Sequence, residues 1–292
     1  MDFSHYSDSN RFYDGSERKK GILIDDQPYI IKFRKNSGDG LRYNHVSEYI
    51  GSHMFQLMGL DCHETCLGTY RGEEVVALKD FVGPDECFVP FNAVGESSLD
   101  MDKERFQYSY HDIVNMLRAN MKLTNVTEME TRFWDMFVVD AWIGNFDRNG
   151  GNWGFLKKNN NYRCAPVFDN GSCLFPALNT DELLKKVMLD ESEISMRIKK
   201  FPTSQILLNG KKSSYYDVIH SCQFGALNRA ILRIVPRIRS VNWSCVIEEI
   251  DMISEERKKF YILMLKRRFE EILYSTYSIL ENSGQEPKLC CQ

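Results

Sequence analysis

Residues 143–152 read Ile-Gly-Asn-Phe-Asp-Arg-Asn-Gly-Gly-Asn and place a carboxylate, Asp147, five residues before a carboxamide, Asn152, in a glycine-rich stretch. Phosphoryl transfer asks for this pairing: a carboxylate to orient or deprotonate an attacking hydroxyl, and an oxygen donor nearby for a magnesium ion. Protein kinases use the same five-residue step. Downstream, Val167-Phe168-Asp169-Asn170-Gly171 adds a second carboxylate. Asp169 has the place and form of a magnesium ligand, because hard cations prefer carboxylate oxygens and Gly171 lets the chain turn around the ion. Upstream, Lys32 lies among apolar neighbours in Ile30-Ile31-Lys32-Phe33, and Glu48 follows sixteen residues later. That spacing allows a lysine–glutamate couple in which the ammonium reaches the α- and β-phosphates of a nucleotide. Between Tyr13 and Lys20 a polar turn carries Gly15, Ser16 and Lys19, whose backbone amides and basic side chains suit a phosphate cover.

These residues need elements to hold them. Residues 20–34 predict two strands around the turn Asp25-Asp26-Gln27-Pro28, and 44–60 predict an amphipathic helix with Val46, Ile50, Met54, Leu57 and Met58 on one face. Two short strands, 66–70 and 74–81, complete a small β-rich lobe, and Gly83-Pro84 marks its end. A helix carrying Asp112, Val114, Leu117 and Met121 and a second carrying Phe133, Met136, Phe137 and Ile143 lead to the Asp147 loop. A small hairpin, 153–156 and 164–168, braces that loop, and helical patterns continue to about residue 282. The strongest is 255–280, with a stripe at Phe260, Leu263, Leu265, Phe269 and Ile272; Phe224, Leu227, Ile231 and Ile234 form another core stripe. The division expected is a mobile 1–12, an N-lobe at 13–85, a helical C-lobe at 86–282 and a mobile tail at 283–292.

The 292 residues are 43% hydrophobic and 27% charged, enough apolar surface for a substantial core, which excludes global disorder. A formal charge of −4 gives no general attraction to polyanions, so no direct nucleic-acid binding is expected. The apolar runs are too short to span a bilayer and the N-terminus lacks a cationic, apolar leader, so a cytoplasmic site is expected, with secretion as an effector by other routes left open. The nine cysteines are sparse and read as reduced thiols. Cys62, His63, Cys66 and His53 are a poor match to zinc spacings and read as packed side chains, and Cys290-Cys291 do not form a prenylation box. Basic clusters at Lys199-Lys200, Lys211-Lys212 and Lys266-Arg267-Arg268 read as solvated faces.

The stretch 143–148, with Asn152 and Ala165-Pro166-Val167-Phe168-Asp169, resembles the catalytic core of HipA-type serine/threonine kinases. Ser47-Glu48-Tyr49-Ile50, Gly59-Leu60 and Val76-Ala77-Leu78-Lys79-Asp80-Phe81 resemble the compact branch of that family, the CtkA-like kinases and HipT-like toxins. The resemblance covers roughly 13–175 and implies an α+β, bilobed protein-kinase-like fold with a small β-rich N-lobe and a larger helical C-lobe. By the same resemblance ATP and Mg2+ are the cofactors, Asp147 is the catalytic base, Asn152 and Asp169 hold magnesium, and Lys32 contacts phosphates. The backbone around Lys79, Asp80 and Phe81 receives adenine, and Ser16 is a candidate for inhibitory autophosphorylation. Asn149 stands where members commonly have histidine, and the phosphate turn is poor in glycine. The implied partners are a protein with a Ser or Thr acceptor and an antitoxin or regulatory protein. A small-molecule kinase and a non-catalytic binding protein are the competing readings.

Overall fold

The computed structural model describes residues 1–11, 13, 17–94, 126–159 and 161–282. Residues Gly15, Ser16, Asp112–Met121 and the last ten, on which several expectations fall, lie outside them. Strands β1 (Lys19–Ile24), β2 (Gln27–Phe33), β3 (Thr65–Tyr70) and β4 (Glu73–Lys79) form one antiparallel sheet in the order β1-β2-β4-β3. Both hairpins close on two residues with positive φ, Asp25-Asp26 (49° and 60°) and Arg71-Gly72 (51° and 80°). Turns of this hand match the right-handed twist of the strands they join. Helix α1 (Asn44–Leu57) buries Val46, Ile50, Met54 and Phe55, and Gly59 follows its end at φ 71°.

The outer face of the sheet is covered by the N-terminus. Phe3 is fully buried against Ile22, Ile31, Phe33, Val75 and Ala77, and its amide donates to Thr69 O at 2.8 Å. Bridges Asp2–Thr69 and Asp8–Ile22 tie this strap to both edges of the sheet. Residues 1–11 of the segment expected to be mobile thus lie along the sheet. Phe3, with Tyr6 packed beside it, anchors the segment, and Gly68 leaves room for the chain: a Cβ there would lie 2.2 Å from Met1 O.

After β4 the chain enters a second sheet, β5 (Cys87–Pro90), β6 (Gly154–Lys158) and β7 (Asn161–Cys164), in that order. Strand β5 was not anticipated, and β7 begins three residues earlier than the expected 164–168 strand. A short turn, α2 (Phe91–Val94), follows β5, and α3 (Val126–Ile143) brings the chain to the Asp147 loop. The residues beyond 180 are mostly helical, but β8 (Thr203–Leu208) and β9 (Lys211–Ser214) make a hairpin where helix was expected. Its turn, Asn209-Gly210, has φ of 51° and 71°.

The 255–280 run is not one continuous α-helix. It passes from α-helix at Glu255–Arg268 through a π-turn at Phe269–Tyr274 to α-helix at Ser275–Asn282. The extra residue in the π-turn shifts the buried face, so Leu273 is buried beside Ile272; of the expected stripe, Leu263 and Phe269 are only partly covered. Arg268 is likewise corrected: it is fully buried, not solvated, and its Nε donates to Ala141 O at 2.8 Å. One continuous core joins α1, α3 and the C-terminal helices, with Trp134 and Trp142 fully buried in it.

Candidate active site

Helix α3 is apolar near its end except for Asp140, which is fully buried in Val138-Val139-Asp140-Ala141-Trp142. Gly144 stops the helix at φ 66°, and the next residues turn back to cap it. Asn145 donates its backbone amide to Asp140 O and its side-chain amide to Asp140 Oδ1, each at 3.0 Å. Arg148 grips Asp140 with two bonds, Nε to Oδ2 at 2.9 Å and Nη2 to Oδ1 at 3.0 Å. A buried carboxylate demands such a partner. The same guanidinium donates to Asn152 O at 3.0 Å, Phe168 O and Asn170 Oδ1 at 2.5 Å. Arg148 therefore welds the Asp147 loop to the Asp169 segment.

Asp147 projects from this braced loop, half-buried. Its Oδ1 accepts from Asn149 Nδ2 at 3.0 Å, while Asn149 Oδ1 accepts the Gly151 amide at 2.8 Å. The asparagine in the place of the family's histidine is thus a fixed donor to the carboxylate. Burial raises the Asp147 pKa above the usual carboxylate value; the Asn149 bond opposes that, and the neighbouring Asp169 charge adds to it. Asn152 Nδ2 donates to Asp147 O at 2.7 Å, which orients its carboxamide.

Lys32 Nζ bridges two carboxylates, Asp169 Oδ1 at 2.8 Å and Glu48 Oε2 at 3.0 Å. Burial disfavours its charge, but Asp169 and Glu48 outweigh it and its pKa is raised. Glu48 is almost wholly buried; burial works against its charge too, yet Lys32, His63 and the Asn170 amide hold its pKa well below the usual carboxylate range. The Asn170 amide donates to Glu48 Oε1 at 2.7 Å, and Asn170 Nδ2 donates to Ser52 Oγ at 3.0 Å. Asp169 has a positive φ of 58°, a conformation open to aspartate at modest strain. The structure thus joins Lys32, Glu48 and Asp169 in one bridge, and Arg148 ties the Asp169 segment to the loop that carries Asp147 and Asn152.

The remaining expected residues are placed as follows. Lys79 and Asp80 donate their amides to Glu64 O and Pro28 O, both at 2.9 Å, so these groups are committed within the sheet region. The Lys79 ammonium pairs with Glu64 at 2.9 Å, and Asp80 Oδ2 accepts from Arg11 at 2.5 Å and Tyr13 at 2.9 Å. The Phe81 ring lies 5.6 Å from Phe168, next to Asp169. Lys19 sits opposite Lys32 in the β1–β2 register. Cys62 donates its thiol to Val167 O at 3.0 Å, and His63 Nε2 lies 3.1 Å from Glu48 and 2.9 Å from Ser52. Asp140, Arg148, Asn170 and His63 were not anticipated. A charge inside the apolar run around Asp140 is the signal that points to them.

The HipA-like C-terminal domain family matches residues 15–201. The chain belongs to that family. The serine/threonine-protein kinase CtkA of Helicobacter pylori is 32% identical over 278 residues, covering 93% of this chain and 85% of that one. The crystal structure of a Helicobacter pylori proinflammatory kinase CtkA superimposes with a TM-score of 0.89 at 31% identity, over 98% of this chain and 99% of that one. HipA of Shewanella oneidensis, solved with HipB and operator DNA, shares the fold at a TM-score of 0.60 and 14% identity, over 94% of this chain and 69% of that one. This HipA-like protein is a kinase with the expected α+β kinase-like fold. Among the described residues, no helix is long and apolar enough to cross a membrane.

Proposed function

We propose that this HipA-like kinase transfers the γ-phosphoryl group of ATP to a serine or threonine hydroxyl of a protein. The observation that carries this reading is the Lys32 ammonium held between Glu48 and Asp169, the latter in a segment that Arg148 ties to the Asp147 loop. Held by two carboxylates, Lys32 is a fixed positive charge for the α- and β-phosphates. Asp147, with one oxygen restrained by Asn149, presents its carboxylate to the acceptor hydroxyl, orients it and takes its proton. Asn152 and Asp169 suit a divalent cation, because the Asn152 amide nitrogen is occupied by Asp147 O and leaves its oxygen as the donor. Magnesium is the ion we assign, and when bound it neutralises charge developing on the phosphates. Arg148 keeps the two carboxylate-bearing segments in register and touches neither reactant. Asp169→Asn is expected to lower phosphotransfer by at least about a hundredfold in a radiolabel assay with a folded, thermally intact protein. Near wild-type turnover in that variant would contradict the assignment.

A further inference from the structure

The two carboxylates that hold Lys32 differ in kind. The Asp169 side chain is 29% exposed, the Glu48 side chain 1%. Water does not reach an enclosed carboxylate, so the direction its oxygens face is set by the groups that donate to it. Glu48 Oε2 meets the Lys32 ammonium at 3.0 Å, while Oε1 meets the Asn170 amide at 2.7 Å and His63 Nε2 at 3.1 Å. The same His63 nitrogen lies 2.9 Å from Ser52 Oγ.

The neighbours of that nitrogen decide where its hydrogen is. Ser52 gives its one hydroxyl hydrogen to Glu48 O at 2.7 Å and accepts from Asn170 Nδ2 at 3.0 Å. Glu48 is ionised against the Lys32 ammonium. His63 Nε2 therefore faces two acceptors and carries the hydrogen. The histidine is itself fixed from outside this ring of groups. Its amide donates to Val167 O at 3.0 Å, its carbonyl accepts from Gln56 Nε2 at 3.3 Å, and the Val167 amide donates to Asp61 O at 2.8 Å. The imidazole thus closes a circuit, Glu48–His63–Ser52–Asn170, between α1 and the segment that carries Asp169.

We infer that His63 is a positioning residue for Lys32: its Nε2–H, with the Asn170 amide, holds Glu48 Oε1 and so presents Oε2 to the ammonium. The inference rests on the kinase reading above and adds to it a buried residue that sets phosphate binding through Glu48. Binding of a non-hydrolysable ATP analogue with magnesium, and of adenosine, is measured by calorimetry for wild type, His63→Leu, His63→Gln, Glu48→Ala and the Glu48→Ala/His63→Leu double variant, each first shown to unfold cooperatively on heating. His63→Leu is expected to weaken the analogue about tenfold and to leave adenosine within about twofold. His63→Gln, which returns a side-chain N–H donor, is expected to recover most of that loss. Beside Glu48→Ala, the His63→Leu change is expected to have no further effect, because the carboxylate it positions is gone.

Unchanged analogue affinity in His63→Leu, an equal loss of analogue and adenosine, His63→Gln no better than His63→Leu, or an equal His63→Leu effect in the Glu48→Ala background each overturns the inference. If Glu48→Ala does not fold, the comparison of His63→Leu with His63→Gln decides by itself. A wild-type protein that neither binds the analogue nor transfers phosphate would overturn the kinase reading itself, a distinct outcome.

Discussion

Arg148 is the side chain that ties the Asp147 loop to the Asp169 segment. It is nearly fully buried, with five bonds to Asp140, Asn152, Phe168 and Asn170. Removing it leaves the Asp140 carboxylate buried without its main partner, a situation that costs about 3–5 kcal/mol. Arg148→Ala is therefore expected to lower stability by about that amount in urea unfolding and to lose activity with it. Asp140→Asn, which keeps the shape and removes the charge, leaves Arg148 unbalanced in turn. The residues assigned to the reaction in the proposed function, Lys32, Asp147, Asn152 and Asp169, and Glu48, which pairs with Lys32, were legible in the sequence from their types, their order and the family resemblance. Arg148 and Asp140 were less so. Their roles come from burial, and an arginine beside a catalytic aspartate carries no mark of which side faces the core.

At the scale of elements, the hairpins and α1 follow from local pattern: apolar alternation, turns built on residues that tolerate positive φ, and a 3.6-residue stripe. Where tertiary partners decide, local pattern fails. Strand β5 has only four residues and exists because β6 pairs with it, Gly154 allowing an approach in which an added Cβ would lie 2.3 Å from Val89 O. The β8–β9 hairpin is polar on its second strand, and its one local sign is the Asn209-Gly210 turn. The N-terminal strap is held by Phe3, by Tyr6 beside it and by backbone bonds to both sheet edges, a pattern with no periodicity to register. Its contribution is measurable. Phe3→Ala empties a fully buried site and is expected to cost about 3 kcal/mol. Limited proteolysis should then cut the first ten residues of the variant while sparing those of wild type; equal resistance would show that the strap is held by its backbone bonds alone.

For the whole molecule, the same core runs through α1 and α3, so the element that carries Glu48 and the element that ends at the Asp147 loop are packed into one body. The Lys32–Glu48–Asp169 bridge and the Asn170–Glu48 bond join segments more than a hundred residues apart in sequence, and the proposed function places its reacting groups there. The structural match to CtkA over 98% of this chain and the sequence match over 93% of it carry the likeness through the C-terminal helices, beyond the 13–175 over which the motifs were recognised. The most direct test of the account is the intact mass of the purified protein, with a protein acceptor mixture, after incubation with ATP and magnesium, run beside Asp147→Asn. The account predicts phosphate on protein Ser or Thr with wild type and none with Asp147→Asn, although the variant still binds ATP. Equal phosphate incorporation by the two would contradict it.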